Sequence, residues 1–398
     1  MLEAAEGAAE RTFEAPVSTG VARLAAMDGL RGIAIATVLW YHVWQISWFG
    51  VGFSLFGFDA QTFPETGFMG VELFFFLSGF CVFYPFAKAH FDGRPAPGWR
   101  HFYARRFFKI VPSYVLAIGA LIAFGAQRYA AWTDAARDVG FHLLFVHNWF
   151  AATFGTIDGV LWSLAVEVQF YAVFPLVCWA FLRRPLVTTV AMFAAAAAFR
   201  LLSEARDAYF LSQLVNQLPA VLDLFAAGML VAYGYRFIAT RRPALGARTA
   251  LWTAVAAAGL VWTFALLHGL YGARYDHDGF THWQTHHRSE VALALGMLGL
   301  GSLFAHRAWV AVIANPLTIF LGAISYNLYI WHQIVARLVA SSFRPATANP
   351  HDDPHWQMAV TVAAIVAAIA MGAAVTYLFE RPIMAAGARL GGRRQSGE

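Results

Sequence analysis

Ten stretches of about 20 mostly apolar residues, separated by short connections that carry charge, glycine or proline, govern what this chain can become. They fall roughly at 29–48, 68–87, 110–127, 160–182, 186–203, 217–237, 249–270, 290–306, 312–339 and 357–379. Each is long enough to cross a hydrocarbon layer ~30 Å thick as an α-helix. In lipid no water satisfies exposed amide groups, so a chain of this kind must bond its backbone internally, as helices or a closed barrel. Apolar runs of this length select helices. With 59% hydrophobic residues, 13% charged residues and a mean hydropathy of +0.55, an ordinary soluble domain is excluded. The expected fold is all-α, a polytopic integral membrane protein with about ten transmembrane helices.

Charge sets the expected orientation. If the N-terminus is cytoplasmic, 20 of the 28 Lys and Arg residues fall on the inner side and 8 on the outer, the asymmetry of the positive-inside rule. Both termini are then cytoplasmic. The segment 88–109 alone holds Lys88, Arg94, Arg100, Arg105, Arg106 and Lys109. A net charge of +5 is explained by topology and needs no nucleic acid. Residues 1–26, with Glu3, Glu6, Glu10 and Glu14 and no secretory signal core, read as a short cytoplasmic arm. Residues 27–382 form one transmembrane domain, and 383–398 a basic cytoplasmic tail. Cys81 and Cys178 lie within spans as small apolar groups and report nothing of redox compartment.

A charge near mid-membrane costs roughly 2.5–3.5 kcal/mol, so ionisable residues inside the spans need a partner or a cavity. Arg31 and His42 are eleven residues apart, which at 100° per residue returns them to within ~20° of one helix face, some 16 Å apart along the axis. Ser163, Glu167 and Tyr171 share a face, as do Ser325, Tyr329 and His332. The expected topology puts Glu72, Glu167 and His332 in the outer half, at depths compatible with His42. Glu72 and Asp223, near helix ends, suit interfacial or capping roles equally well. Arg105, Arg106 and Lys109 precede a span, where topology alone places cations, and guanidinium groups at a helix start also suit phosphate. The segment 271–288 holds His277, Asp278, His282, His286 and His287. Only His282 and His286 have usable spacing and no firm third ligand follows, so it reads as a solvated loop and no metal is expected.

Several of these segments together resemble the membrane-bound acyltransferase-3 family, O-acyltransferases of bacterial surface polysaccharides and other hydroxylated acceptors. Met27-Asp28-Gly29-Leu30-Arg31-Gly32 followed by His42 is similar to its opening LDGLRG signature with Arg-x10-His spacing. Gly70 to Phe80 resembles the second-span motif, and Tyr103 to Pro112 the RRxxRIxP element, with Lys109 in place of an arginine. Leu161 to Tyr171 resembles WSLxxEExFY, keeping Glu167 but placing Val168 at the second acid. Ser325 to His332 is similar to SYxxYLxH, and Tyr377 to Pro382 to YxxERP. No esterase-like domain follows Pro382, which suits the stand-alone form.

The resemblance implies an acyltransferase in the bacterial cytoplasmic (inner) membrane, with acyl-CoA, by default acetyl-CoA, as donor. The acceptor is a polysaccharide, a glycolipid or a small hydroxylated molecule, and homo-oligomer formation stays open. The expected site has catalytic His42, Glu167 and Arg31, with Glu167 orienting the His42 imidazole. Arg105, Arg106 and Lys109 hold the donor's nucleotide, and Glu72, Ser78, Trp162, Ser163, Tyr171, Ser325, Tyr329 and His332 contact substrate. The rival from another class is a transporter or flippase, since polar residues at middle depth also suit translocation.

Overall fold

A computed structural model describes residues 19–55, 57–125, 127–205, 211–347 and 349–392. The twelve principal helices are α1 Thr19–Ser47, α2 Gly70–Asp92, α3 Trp99–Ala123, α4 Trp132–Leu143, α5 Trp162–Arg183, α6 Pro185–Glu204, α7 Leu222–Arg241, α8 Thr249–Ala273, α9 His277–Phe304, α10 Pro316–Ser342, α11 Pro354–Val375 and α12 Arg381–Gly392. Strands among the described residues are confined to the antiparallel pair Ser54–Leu55 and Phe58–Asp59 after α1. The chain is an all-α polytopic membrane protein. Eight helices are long and apolar enough to cross a membrane, and a ninth span forms if Arg307–Ile313 and α10, bent by 49° at the Asn315–Pro316 break, count as one.

Each of the ten expected segments holds a helix, yet 290–306 is only the apolar half of α9, whose first turns carry His282, His286, His287, Arg288 and Glu290. The loop expected at 271–288 therefore corrects to a helix beginning at His277. Asp276 caps it by accepting from the Gly279 amide at 3.0 Å, and buried Trp283, Gln284, Arg288 and Val291 return at helical spacing. The basic segment 88–109 also shrinks: α2 runs through Asp92 and α3 begins at Trp99, leaving residues 93–98 as the connection. At the N-terminus α1 already begins at Thr19, so residues 19–26 belong to it and Ala26 is fully buried. Residues 1–18 of the expected arm, with its four glutamates, and residues 393–398 of the expected tail lie outside the described residues.

Burial sorts the helices. In the span Thr62–Asp92 that holds α2, 83% of the most apolar stretch is buried, against 22% in α8 and 28% in the span Pro354–Gly387 that holds α11. Exposed apolar side chains such as Leu176, Val190, Val261, Val312 and Val366 face outward, as lipid contact allows. The centre is aromatic: Phe76, Phe83, Phe170, Phe174, Phe181 and Phe225 are all buried, with Phe170 stacked on Phe225 at 3.9 Å. Without a hydrophobic drive between helices in lipid, close packing takes over, and small residues admit it. α2 pairs with α7 and α1 with α10 in this way. A Cβ on Gly228 would strike the Phe76 carbonyl, and one on Gly32 the Thr318 carbonyl.

Gly32→Val should force α1 off α10, costing about 1–3 kcal/mol as overpacking does. The check is thermal unfolding in detergent micelles, where an unchanged midpoint would show that the helices are not in contact there.

Candidate active site

Between α1, α2, α3, α5 and α10 lies a cavity of ≈ 330 Å³. Asp28, Arg31, Arg106, Lys109, Glu167 and Tyr171 supply its charged and polar wall together with Ser78, Ser163, Ser325, Tyr326 and Tyr329, while Phe74, Phe75, Ile319 and Ala323 close the apolar side. Nine of the expected site residues thus meet in one chamber: Arg31, Ser78, Arg106, Lys109, Ser163, Glu167, Tyr171, Ser325 and Tyr329. The α10 row Ser325, Tyr326 and Tyr329 faces the α5 row Ser163, Glu167 and Tyr171, and the Ser163 and Tyr329 hydroxyls meet at 2.7 Å.

Glu167 accepts from Ser78 Oγ at 2.7 Å and from the Tyr171 hydroxyl, while Ser78 and Tyr171 lie 3.0 Å apart. Arg106 stands 5.2 Å from the Tyr171 ring centre, and Arg31 reaches Cys81 Sγ at 3.7 Å. Lys109 is committed: its ammonium donates to Glu380 at 2.5 Å. Glu380 is aimed inward by a single π-helical stretch, Thr376–Glu380, and its second oxygen accepts from Asn327 at 2.9 Å. The closing YxxERP segment thus supplies the partner that the sequence reading left without a role.

His42 meets His332 rather than Glu167. Nδ1 of His42 and Nε2 of His332 are 3.0 Å apart, and the ring centres 4.8 Å. Tautomers follow from the neighbours. His332 Nδ1 lies 2.7 Å from the Tyr329 carbonyl, and a carbonyl only accepts, so this nitrogen carries the proton and Nε2 of the neutral ring carries the lone pair. His42 Nδ1–H then donates to His332 Nε2, shared with the Val38 carbonyl at 3.0 Å. Nε2 of His42 remains, with a lone pair and no protein hydrogen bond among the described residues. The expected Glu167–imidazole contact is corrected because Glu167 sits one helical turn from Ser163 on one side of the Ser163–Tyr329 contact and His332 three residues from Tyr329 on the other. By helix rise the two are about 10 Å apart along the axis.

Three further expectations need correcting. Glu72 does not reach the cavity: it is 2% exposed and takes two donors from Arg288, Nε at 3.1 Å and Nη2 at 2.7 Å. Its charge is consumed by a buried ion pair, which no spacing rule connects across 216 residues. Trp162 packs between Phe75 and Phe154 instead of lining the cavity. Arg105 is exposed and outside the chamber wall, and α3 begins six residues earlier, so neither Arg105 nor Arg106 sits at a helix start where the dipole acts. Asp223, in the first turn of α7 as its place near a helix end implies, accepts from the Leu224 amide at 3.0 Å and is buried, paired with Arg200 at 2.9 Å and accepting from Ser289 at 2.7 Å.

Sequence reasoning also missed Asp158. In the connection before α5 it is 5% exposed, and its Oδ2 has no partner among the described residues. Burial pushes its carboxyl up to about 7. Gln333 Oε1, buried and equally without a partner, belongs to the residue after His332 and lies beside Gly159. No motif marks either residue.

An all-α membrane protein with a polar, arginine-rimmed chamber and an imidazole pair beyond it is the class that fold and site define. The chain belongs to the acyltransferase-3 family: the profile of that family's acyltransferase domain matches residues 24–381. It is 26% identical over 168 residues to the peptidoglycan O-acetyltransferase OatA of Listeria monocytogenes, covering 39% of this chain and 24% of that protein. A putative peptidoglycan O-acetyltransferase, YrhL of Bacillus subtilis, is 27% identical over 161 residues, 38% of this chain and 23% of YrhL. Protein 2 in the picA locus of Rhizobium radiobacter is 32% identical over 102 residues, 26% of this chain and 46% of that protein. The chain therefore spans less than half the length of each of these relatives. No solved structure matches it.

Glu72→Gln should destabilise the fold by about 3–5 kcal/mol by stranding Arg288, while Glu72→Leu with Arg288→Met should recover most of it and retain activity per folded molecule. A folded but inactive Glu72→Gln would return Glu72 to the substrate. For Asp158, a carboxyl raised in the folded state binds its proton more tightly there, so its contribution to stability is full below the unfolded value near 3.8 and is lost as pH rises toward 7. Asp158→Asn should therefore raise the unfolding midpoint more at pH 8 than at pH 5, and an equal effect at both would contradict its burial.

Proposed function

We propose that this protein is a membrane O-acyltransferase that takes an acyl group, by default acetyl, from cytoplasmic acyl-CoA and passes it to a hydroxyl on the outer side of the bacterial inner membrane. The observation that carries this reading is the His42–His332 pair beyond a chamber whose other end holds Arg31 and Arg106. Arg106 and Arg31 supply the fixed cationic charge a phosphate-bearing donor requires, and the chamber admits a slender thioester arm. Lys109, neutralised by Glu380, anchors α3 to the far end of the chain and is not a free phosphate ligand.

The Tyr329 side chain, bonded to Ser163 and the Val160 carbonyl, separates the chamber from the imidazoles and is what an incoming thioester must pass. His42 Nε2 takes the proton of the acceptor hydroxyl as the oxygen attacks the thioester carbon and the thiolate leaves. His332 accepts from His42 Nδ1–H and so steadies the imidazolium that forms, the role expected of Glu167. Glu167 works on the donor side, fixing the Ser78 and Tyr171 hydroxyls and offsetting the arginine charge. A covalent acyl-histidine, which would split donor and acceptor steps, uses the same free nitrogen. OatA of Listeria monocytogenes is a peptidoglycan O-acetyltransferase, and a polysaccharide or lipid-linked sugar is the acceptor class this reading adopts. On this reading the buried oxygens of Asp158 and Gln333, next to the His332 turn, receive sugar hydroxyls.

Membranes supplied with labelled acetyl-CoA and glycan acceptor test this. His42→Ala should abolish transfer, His332→Ala should lower kcat by about 10²–10⁴-fold, and Arg106→Ala should act mainly on the donor KM. Undiminished acylation by His42→Ala removes this histidine from the mechanism and sinks the proposal.

A further inference from the structure

The histidines at the start of α9 have no part in the chamber, yet three side chains converge there. His282 and His286, four residues apart on one helix face, have ring centres 4.2 Å apart. Glu204, the last residue of α6, supplies the third group. One of its carboxylate oxygens is 3.7 Å from His282 Nδ1 and the other 3.3 Å from His286 Nε2. One donor atom from each residue can be chosen so that all three lie within 4.8 Å of one another. A tetrahedral ion with bonds of about 2.0–2.2 Å needs its ligands about 3.3–3.6 Å apart, so only a small inward rotation of one side chain completes the set.

The frame beneath these groups is fixed independently. Arg200, one turn before Glu204, is buried and donates from Nε to the carbonyl of Thr285, the residue before His286, at 3.1 Å, and from Nη2 to Ser289 Oγ at 2.6 Å. The same guanidinium pairs with Asp223. α6 and α9 are thus pinned together within one turn of the cluster, so Glu204 cannot drift from the two imidazoles without breaking a buried network. His287 takes no part and turns to Glu290 at 3.0 Å.

We propose that Glu204, His282 and His286 form a surface site for a divalent transition-metal ion of the zinc class, with water in the fourth position. Two imidazoles and a carboxylate match the nitrogen and oxygen preference of Zn²⁺, and no thiolate is present to favour a softer ion. The partly exposed position leaves the ion exchangeable. By joining the end of α6 to the start of α9, it adds an outer fastening beside the buried Arg200–Asp223 and Arg288–Glu72 pairs. Its effect is read in stability.

The test uses the full chain in detergent micelles, stripped with a chelator and titrated with Zn²⁺ alone, with bound metal counted by elemental analysis and heat of binding measured. Wild type should take up one saturable equivalent and unfold at a higher temperature with zinc than without. His282→Ala with His286→Ala, both exposed positions, should stay monodisperse yet lose that equivalent and the temperature rise. Glu204→Gln should weaken binding by at least about tenfold, the lower end of what even an outer-shell partner contributes. No saturable binding by wild type, or an unchanged equivalent in the double variant, overturns the site.

Discussion

How near α1 can come to α10 determines whether this protein has a site at all. His42 and His332 are 290 residues apart, and their 3.0 Å contact exists only because the two helices touch along their length. The contact depends on the absence of side chains. Gly32 lies against the Thr318 carbonyl, and Gly322 lies opposite the Asp28 carbonyl, so backbone meets backbone near the arginine end of the pair. In lipid, where apolar side chains gain nothing by leaving one apolar medium for another, this packing is the available source of affinity. The glycines of the DGLRG segment therefore set the geometry of the candidate site through backbone packing alone. Arg31 is placed on the chamber by the same apposition that sets His42 against His332.

A second constraint sorts the ionisable residues. Each charge buried in the bundle must be neutralised, and most are neutralised locally: Glu72 by Arg288, Asp223 by Arg200 and Lys109 by Glu380. These pairs are structural. Removing one partner leaves a buried charge whose cost exceeds what the pair contributed. Glu167 stands apart because its partners are hydroxyls, Ser78 and Tyr171, and its cationic neighbours Arg31 and Arg106 share the chamber wall with it rather than ion-pairing with it. A carboxylate and two guanidinium groups around an accessible space form a different device from three closed ion pairs.

This difference explains what could be read from the sequence. Helices came through because apolar length is a local property, and the facing rows Ser163–Glu167–Tyr171 and Ser325–Tyr329 came through because helical periodicity is local as well. Pairing is not local. Nothing in the sequence indicates that Glu72 belongs to Arg288 and not to the chamber, or that the partner of His42 is a second histidine and not Glu167. Glu380 hides for another reason: only the π-helical stretch at Thr376–Glu380 turns it inward, and hydropathy carries no trace of an i→i+5 bond. The 271–288 segment misled because its histidines and charges mimic a solvated loop. Its apolar positions Phe280 and Trp283 are sparse but keep helical spacing with Val291 beyond it, and Asp276 begins the helix.

Exchanging the expected carboxylate for a histidine beside His42 has an energetic logic. A carboxylate–imidazole pair holds a permanent charge in the resting state and would need a compensating cation beside it in the bundle. Two neutral imidazoles need none, and their hydrogen bonds are satisfied by main-chain carbonyls of their own helices, Val38 for one and Tyr329 for the other. The cost of charge arises only when His42 Nε2 takes a proton, and the lone pair of His332 is already in line with the Nδ1–H that must then carry more positive character. Tyr329 links this pair to the chamber, since its carbonyl fixes the His332 tautomer while its hydroxyl holds Ser163 at the chamber wall. A single residue of α10 therefore joins the orientation of the imidazole pair to the wall of the chamber.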